Sequence, residues 1–122
     1  MNDASIELAV VFRQAPHGQA SGREALDLLL LAASYELTCA ALFVGDGVYQ
    51  LVKDQQVARI EAKDYIATFK ALPLYDVEQV RVCAQSLADR GLTRDDLLIE
   101  VEPTKPEQIQ ALLGASQQVL TF

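Results

Sequence analysis

Residues 79–91 read QVRVCAQSLADRG, and this stretch decides the fold class. Gln79 to Cys83 alternates with the period of a β-strand, placing Val80 and Val82 on one face and Arg81 and Cys83 on the other. Ala84 to Arg90 reads as a short helix, and Gly91 closes it as the C′ residue, where the backbone turns left-handed. A strand running straight into a helix, with a cysteine at the junction, is half of a βαβ unit.

The same alternation recurs on both sides of it. Ile6 to Phe12 (IELAVVF) is a continuous apolar run, the pattern of a strand covered on both faces. A loop follows from Arg13 to Ala20, broken by Pro16 and Gly18. Ser21 and Glu24 have capping-box spacing and open a helix over about Gly22 to Glu36, apolar almost all round from Ala25 to Ala33. Cys39 to Val44 (CAALFV) is a second buried strand, stopped by the turn signal Gly45-Asp46-Gly47. Val48 to Leu51 reads as a helical turn and Lys53 to Gln56 as a polar loop. Asp64 caps a helix carrying Tyr65, Ile66, Phe69 and Leu72 at helical spacing, and Pro73 ends it. Downstream, Leu98 to Val101 reads as a fourth strand. Thr104 and Glu107 form a second capping box, with Pro106 in the first turn of a helix to about Leu113. Gln118 to Thr121 is a short last strand. This order implies a mainly parallel five-stranded sheet between helices, a three-layer α/β/α sandwich, in a single domain over residues 1–122.

Composition narrows the function. The chain has 122 residues and a formal net charge of -7. It has no Lys/Arg cluster to displace counterions from phosphates, which argues against direct nucleic-acid binding. The longest apolar run, Leu28 to Ala33, falls far short of the roughly 20 residues a membrane span needs. No basic segment leads into an apolar one before the first strand, so the expected compartment is the cytoplasm. Cys39 and Cys83 lie far apart, outside any CxxC or Cys/His spacing, so neither a disulfide framework nor a metal site is expected. The first loop lacks the GK[ST] ending of a P-loop and GxGxxG spacing, and no cofactor is expected. Yet 51% of the residues are hydrophobic and the mean hydropathy is +0.14, rich for a soluble domain. Either the core is unusually apolar or a surface is kept for a partner. Tyr49, Tyr65, Phe69 and Tyr75, crowded into the middle third, favour a partner surface.

Reactive groups in open parallel sheets collect at the carboxyl ends of the strands. A phosphoacceptor reading fails there, because the first strand ends in Phe12-Arg13-Gln14 and the third in Cys83 instead of carboxylates. His17 is the single histidine, a loop residue that no Ser/His/acid set accommodates. Asp95-Asp96 reads as the first turn of a segment capped by Thr93, and Glu100 and Glu102 as solvated strand residues. Cys83 is the better candidate. A thiol between a strand end and a helix N-terminus sits where the helix dipole favours the thiolate, with Arg81 on the same strand face. A small buried hydrophobe in the core accounts for Cys83 equally well. Cys39, at the opposite end of its strand, reads as structural.

Taken together, Ala15-Pro16-His17-Gly18, Gly22-Arg23-Glu24, Asp46-Gly47-Val48-Tyr49-Gln50-Leu51, Asp64 to Tyr75 (DYIATFKALPLY), Val82-Cys83-Ala84, Ser86-Leu87 and Arg90-Gly91-Leu92 resemble the signature of the TusC/DsrF family, on its bacterial TusC side. The resemblance runs through nearly the whole chain in order. It implies a DsrE-like fold and a place in a sulfur relay. Such a subunit sits with TusB- and TusD-like subunits in a heterohexamer that takes persulfide sulfur from a TusA-like protein. The sulfur passes to a TusE-like protein and on to the enzyme making 2-thiouridine at the tRNA wobble position. DsrF proteins serve a comparable complex in sulfur oxidation. The resemblance places the established sulfur-carrying cysteine on the TusD/DsrE-type sister. This chain is then a docking subunit, not a catalyst on its own, with Cys83 as a candidate persulfide carrier.

Overall fold

The computed structural model describes residues 6–14, 21–52, 70–77, 79–97, 99 and 101–122, with backbone alone for residues 21–23. Five strands form one sheet: β1 (Ile6–Phe12), β2 (Cys39–Phe43), β3 (Gln79–Cys83), β4 (Glu102–Thr104) and β5 (Ser116–Thr121). Their spatial order is β4-β3-β2-β1-β5 and every pairing is parallel. The helices are α1 (Ser21–Ser34), α2 (Ala84–Asp89) and α3 (Pro106–Gly114), with 3-10 turns at Gly45–Leu51, Leu72–Tyr75 and Arg94–Asp96. Among the described residues, no helix is long and apolar enough to cross a membrane.

The continuous apolar character of β1 and β2 has its cause in this arrangement, because both faces of the sheet are covered. On one face Leu8, Val10 and Phe12 of β1, Ala41 and Phe43 of β2 and Val82 of β3 pack with Ala25, Leu26, Leu29, Ala32 and Ala33 of α1. The Phe12 and Phe43 rings stack there, centroids 4.5 Å apart. On the other face Val11, Leu42 and Cys83 meet Ile109 of α3, with Leu112 and Leu113 beside them. Leu26 and Leu29 are fully buried, each contributing about 2 kcal/mol of transfer free energy. Layers of α1, sheet and α3 make the α/β/α sandwich that the alternation implies.

Several boundaries move. The fourth strand is Glu102–Thr104, not Leu98–Val101. Leu97 is held in an antiparallel bridge to Val52 and Val101 is buried in the core, so the chain reaches β3 only afterwards, pairing Arg81 with Glu102 and Cys83 with Thr104. Thr104 is therefore a strand residue and no helix cap; its hydroxyl donates to the Glu102 carbonyl at 3.0 Å. Lys105 takes the cap position without a side-chain bond, and Pro106 opens α3 in the first turn as its fixed φ allows. The α-helical residues before Pro73 stop at Ala71, as the proline requires, and the chain tightens into the 3-10 turn Leu72–Tyr75 that ends at Asp76, φ 64°. Helix α1 starts at Ser21 itself and stops at Ser34, two residues before Glu36 turns left-handed at φ 66°. The side-chain contacts of the Ser21/Glu24 capping box and residues 64–69, where the next helix is expected, lie outside the described residues.

Candidate functional site

Cys83 is the last residue of β3 and the N-cap of α2, and its Sγ accepts a hydrogen bond from the Ser86 N–H at 3.4 Å. The strand-to-helix reading of residues 79–91 places it correctly, but the thiol is only 7% exposed, against Val11, Leu42 and Ile109. Arg81 shares its face of β3 as the alternation predicts. Its guanidinium, however, bonds back to Gln79 Oε1 at 3.1 and 3.3 Å, with no bond to Cys83 among the described contacts. Arg81, Thr104, Gln108, Ala111, Leu112 and Ala115 line a cavity of about 330 Å³ between the sheet and α3.

What surrounds Cys83 is a lock across the carboxyl ends of three strands. Ser86 Oγ accepts the Gly45 N–H at 2.9 Å, tying α2 to the 3-10 turn after β2. Arg90 of the same segment donates through Nε and Nη2 to Asp46 Oδ1 at 3.1 and 2.9 Å, and through Nη1 to the Ser86 carbonyl at 3.1 Å. Gly47 lies so close to the end of β1 that a Cβ there would stand 1.7 Å from the Phe12 carbonyl oxygen, so only glycine fits. Gln50, 2% exposed, donates to the Gln14 carbonyl at 2.9 Å. The turn Gly45–Leu51 is thus pinned to β1, β2 and α2, and holds Cys83 in a fixed frame. Chemically the frame offers one sulfur nucleophile, an N–H directed at that sulfur and no partner imidazole among the described residues.

Cys39 stands at the opposite end of the sheet, first in β2. Its Sγ donates to the Leu37 carbonyl at 3.5 Å, and burial pushes its thiol pKa up, Glu7 adding to the rise. That fits the structural role read from its position. Thr93 and Asp96 cap the turn Arg94–Asp96 reciprocally, so Asp95-Asp96 is local structure, and Glu102 is exposed. His17, Tyr65, Phe69 and Glu100 lie outside the described residues, as does the loop of residues 15–20. Tyr75 is exposed beside Leu74, which is 84% exposed, while Tyr49 is half-buried.

Residue-by-residue chemistry missed the contacts of Ser86, Asp46, Arg90 and Gln50. Ser86 bonds to Gly45 across 41 residues and Arg90 to Asp46 across 44, separations with no local signature.

Asp46, Gly47, Gln50, Ser86 and Arg90 of the frame lie in segments that carry the family resemblance. The model of the DsrE/DsrF-like family matches residues 7–122. A protein TusC homolog of Vibrio vulnificus is 52% identical over 116 residues, covering 95% of this chain and 98% of that protein. Homologs of the same name from Vibrio parahaemolyticus and Aliivibrio fischeri are 45% and 40% identical, over 95% and 94% of this chain and 98% of each relative. The crystal structure of the ychN protein from E. coli superposes with a TM-score of 0.80 at 21% identity, covering 96% of this chain and 99% of that one, and shares the fold. The chain belongs to the DsrE/DsrF-like family, among its TusC members.

Proposed function

We propose that the protein is a docking subunit of a TusBCD-type sulfur-relay complex, acting as one domain in the cytoplasm. It joins TusB- and TusD-like subunits in a heterohexamer that receives persulfide sulfur from a TusA-like protein. The complex hands the sulfur to a TusE-like protein, toward 2-thiouridine at the tRNA wobble position. The observation that carries this reading is the 52% identity to a protein TusC homolog over nearly the full length of both chains. The net charge of -7 supports it, because a relay that passes sulfur between proteins has no need to grip tRNA. Native mass spectrometry after co-expression with TusB- and TusD-like subunits tests it. A mixed oligomer is expected, and a chain that stays apart from both overturns the reading. A DsrF-type place in sulfur oxidation is the competing assignment, and flanking genes for a dissimilatory sulfite reductase in place of TusB- and TusD-like genes would favour it.

The position of Cys83 supports a second reading, in which this chain carries sulfur itself. The Cys83 thiolate attacks the outer sulfur of a donor persulfide, forming Cys83–S–SH as the S–S bond of the donor breaks and the donor leaves as a thiolate. No net oxidation occurs. Incubation with a cysteine desulfurase and cysteine then adds one sulfur atom to the wild type and none to Cys83→Ser; an unmodified wild type retires it.

A further inference from the structure

The large hydrophobic side chains that this fold leaves exposed are not scattered. Leu31, Tyr35 and Leu37 stand at the end of α1 and just after it, and Leu74 and Tyr75 in the turn Leu72–Tyr75. Tyr35 is 74% and Leu74 84% exposed, and among the described residues only Val119 and Leu120 of β5 join these five. Single exposed apolar residues need no account, whereas a group gathered on one side of the molecule marks a contact surface.

Local structure does the gathering. Helix α1 turns Leu26, Leu29 and Ala33 into the core, so Leu31 lies on its outer side, one turn after Asp27 and one turn before Tyr35. Ala40 pairs with Gln79, so the segments that lead into β2 and β3 run side by side at the amino end of the sheet. The turn Leu72–Tyr75 packs against α1, and Leu72 shares the core cluster of Leu26 and Leu29. The charges in these two segments are one-sided. Across residues 24–38 and 70–77, Glu24, Asp27, Glu36 and Asp76 are all exposed, and Lys70 is the single cation.

Building on the docking-subunit reading, we propose that this surface seats a sister subunit whose contact face is apolar at its centre and carries lysine or arginine around it. Charge selects that occupant. A second copy would bring the same four carboxylates against their equivalents, on chains that each carry -7. Nucleic acid and anionic lipid are repelled by the same groups. A cationic rim on the partner pairs with them instead, while the leucines and tyrosines supply the apolar centre, where interface aromatics concentrate.

Competition tests this. Purified wild-type and variant chains are mixed with a limiting amount of TusB- and TusD-like subunits, and native mass spectrometry reads each chain's share of the mixed oligomer. Tyr35→Ser and Leu74→Ser are each expected to lower the variant's share on the order of tenfold, with circular dichroism unchanged because both side chains are exposed. Asp27→Lys combined with Asp76→Lys is expected to lower it comparably in low salt and much less in high salt, where screening removes the attraction. Variants that enter the oligomer as readily as wild type overturn the surface and leave the docking reading standing, whereas a wild type that enters no oligomer overturns both. Self-association of the purified chain that Leu74→Ser abolishes would give the surface to a second copy and likewise overturn the assignment.

Discussion

The two ends of the sheet each hold one cysteine, and they are built on different terms. At the amino end, Cys39 is fixed by burial and by the neighbouring carbonyl of Leu37, while the Thr38 N–H donates to Glu7 Oε1 at 2.9 Å. Among the described residues, that bond is exposed and joins positions 31 apart. At the carboxyl end, Ser86, Arg90, Asp46, Gly47 and Gln50 tie two loops and a helix into a frame around Cys83. One thiol is simply enclosed, the other is positioned. In a parallel sheet all strands deliver their following loops to one end, and here that end gathers several long-range side-chain contacts where the amino end shows the exposed Glu7–Thr38 bond.

Gly47→Ala should produce the largest break in this contrast. Its Cβ collides with the Phe12 backbone, and the loss is expected to reach about 3 kcal/mol, read in urea or thermal melts. Glu7→Gln at the amino end should cost under about 1 kcal/mol, since its bond to Thr38 is exposed. Equal losses would erase the difference between the ends. Ser86→Ala leaves the Gly45 N–H without its acceptor and is expected to cost about 1–2 kcal/mol. It should also raise hydrogen exchange in the turn Gly45–Leu51 while leaving β2 protected. Arg90→Gln comes next, with an expected loss of about 0.5–1 kcal/mol, because Asp46 is largely exposed and solvent screens the pair. Its melting temperature should drop less in high salt than in low salt.

The smallest effect is a slope. The Cys39 thiol pKa is raised in the folded protein, by burial first and Glu7 second. The folded state therefore holds its proton longer than the unfolded chain. That stabilisation is complete below the ordinary thiol value of about 8.5 and is lost as pH rises toward the folded value. Cys39→Ala should flatten the alkaline limb of the stability curve measured from pH 8 to 10. An unchanged limb would assign it to other groups.

Much of the fold was legible because β1 and β2 are continuous apolar runs and β3 alternates, patterns that local sequence carries in full. The fourth strand was not. Leu98 to Val101 has the composition of a strand, yet the pairing goes to Glu102–Thr104, which contains a proline. Edge position tolerates Pro103, and the placement of Leu97 and Val101 in the core decides the register, a tertiary fact absent from any short window. Cys83 was legible for the opposite reason, since a strand–cysteine–helix junction is local. The lock around it joins residues more than forty positions apart, and sequence gave its members only as a family signature.

The pairing of β1 with β5 has a consequence for how the chain acquires this structure. Ile6 aligns with Ser116, so one flank of a central strand is supplied by the last strand described. During synthesis β1 emerges early and meets β2 soon after, while its other flank waits until nearly all of the intervening chain has been made. Contacts of such long sequence separation slow folding and prolong the life of intermediates with an open, apolar strand. Burst-phase protection should therefore appear first between β1 and β2, and a ribosome stalled before Ser116 should display a nascent chain that chaperones hold and that does not yet resist protease.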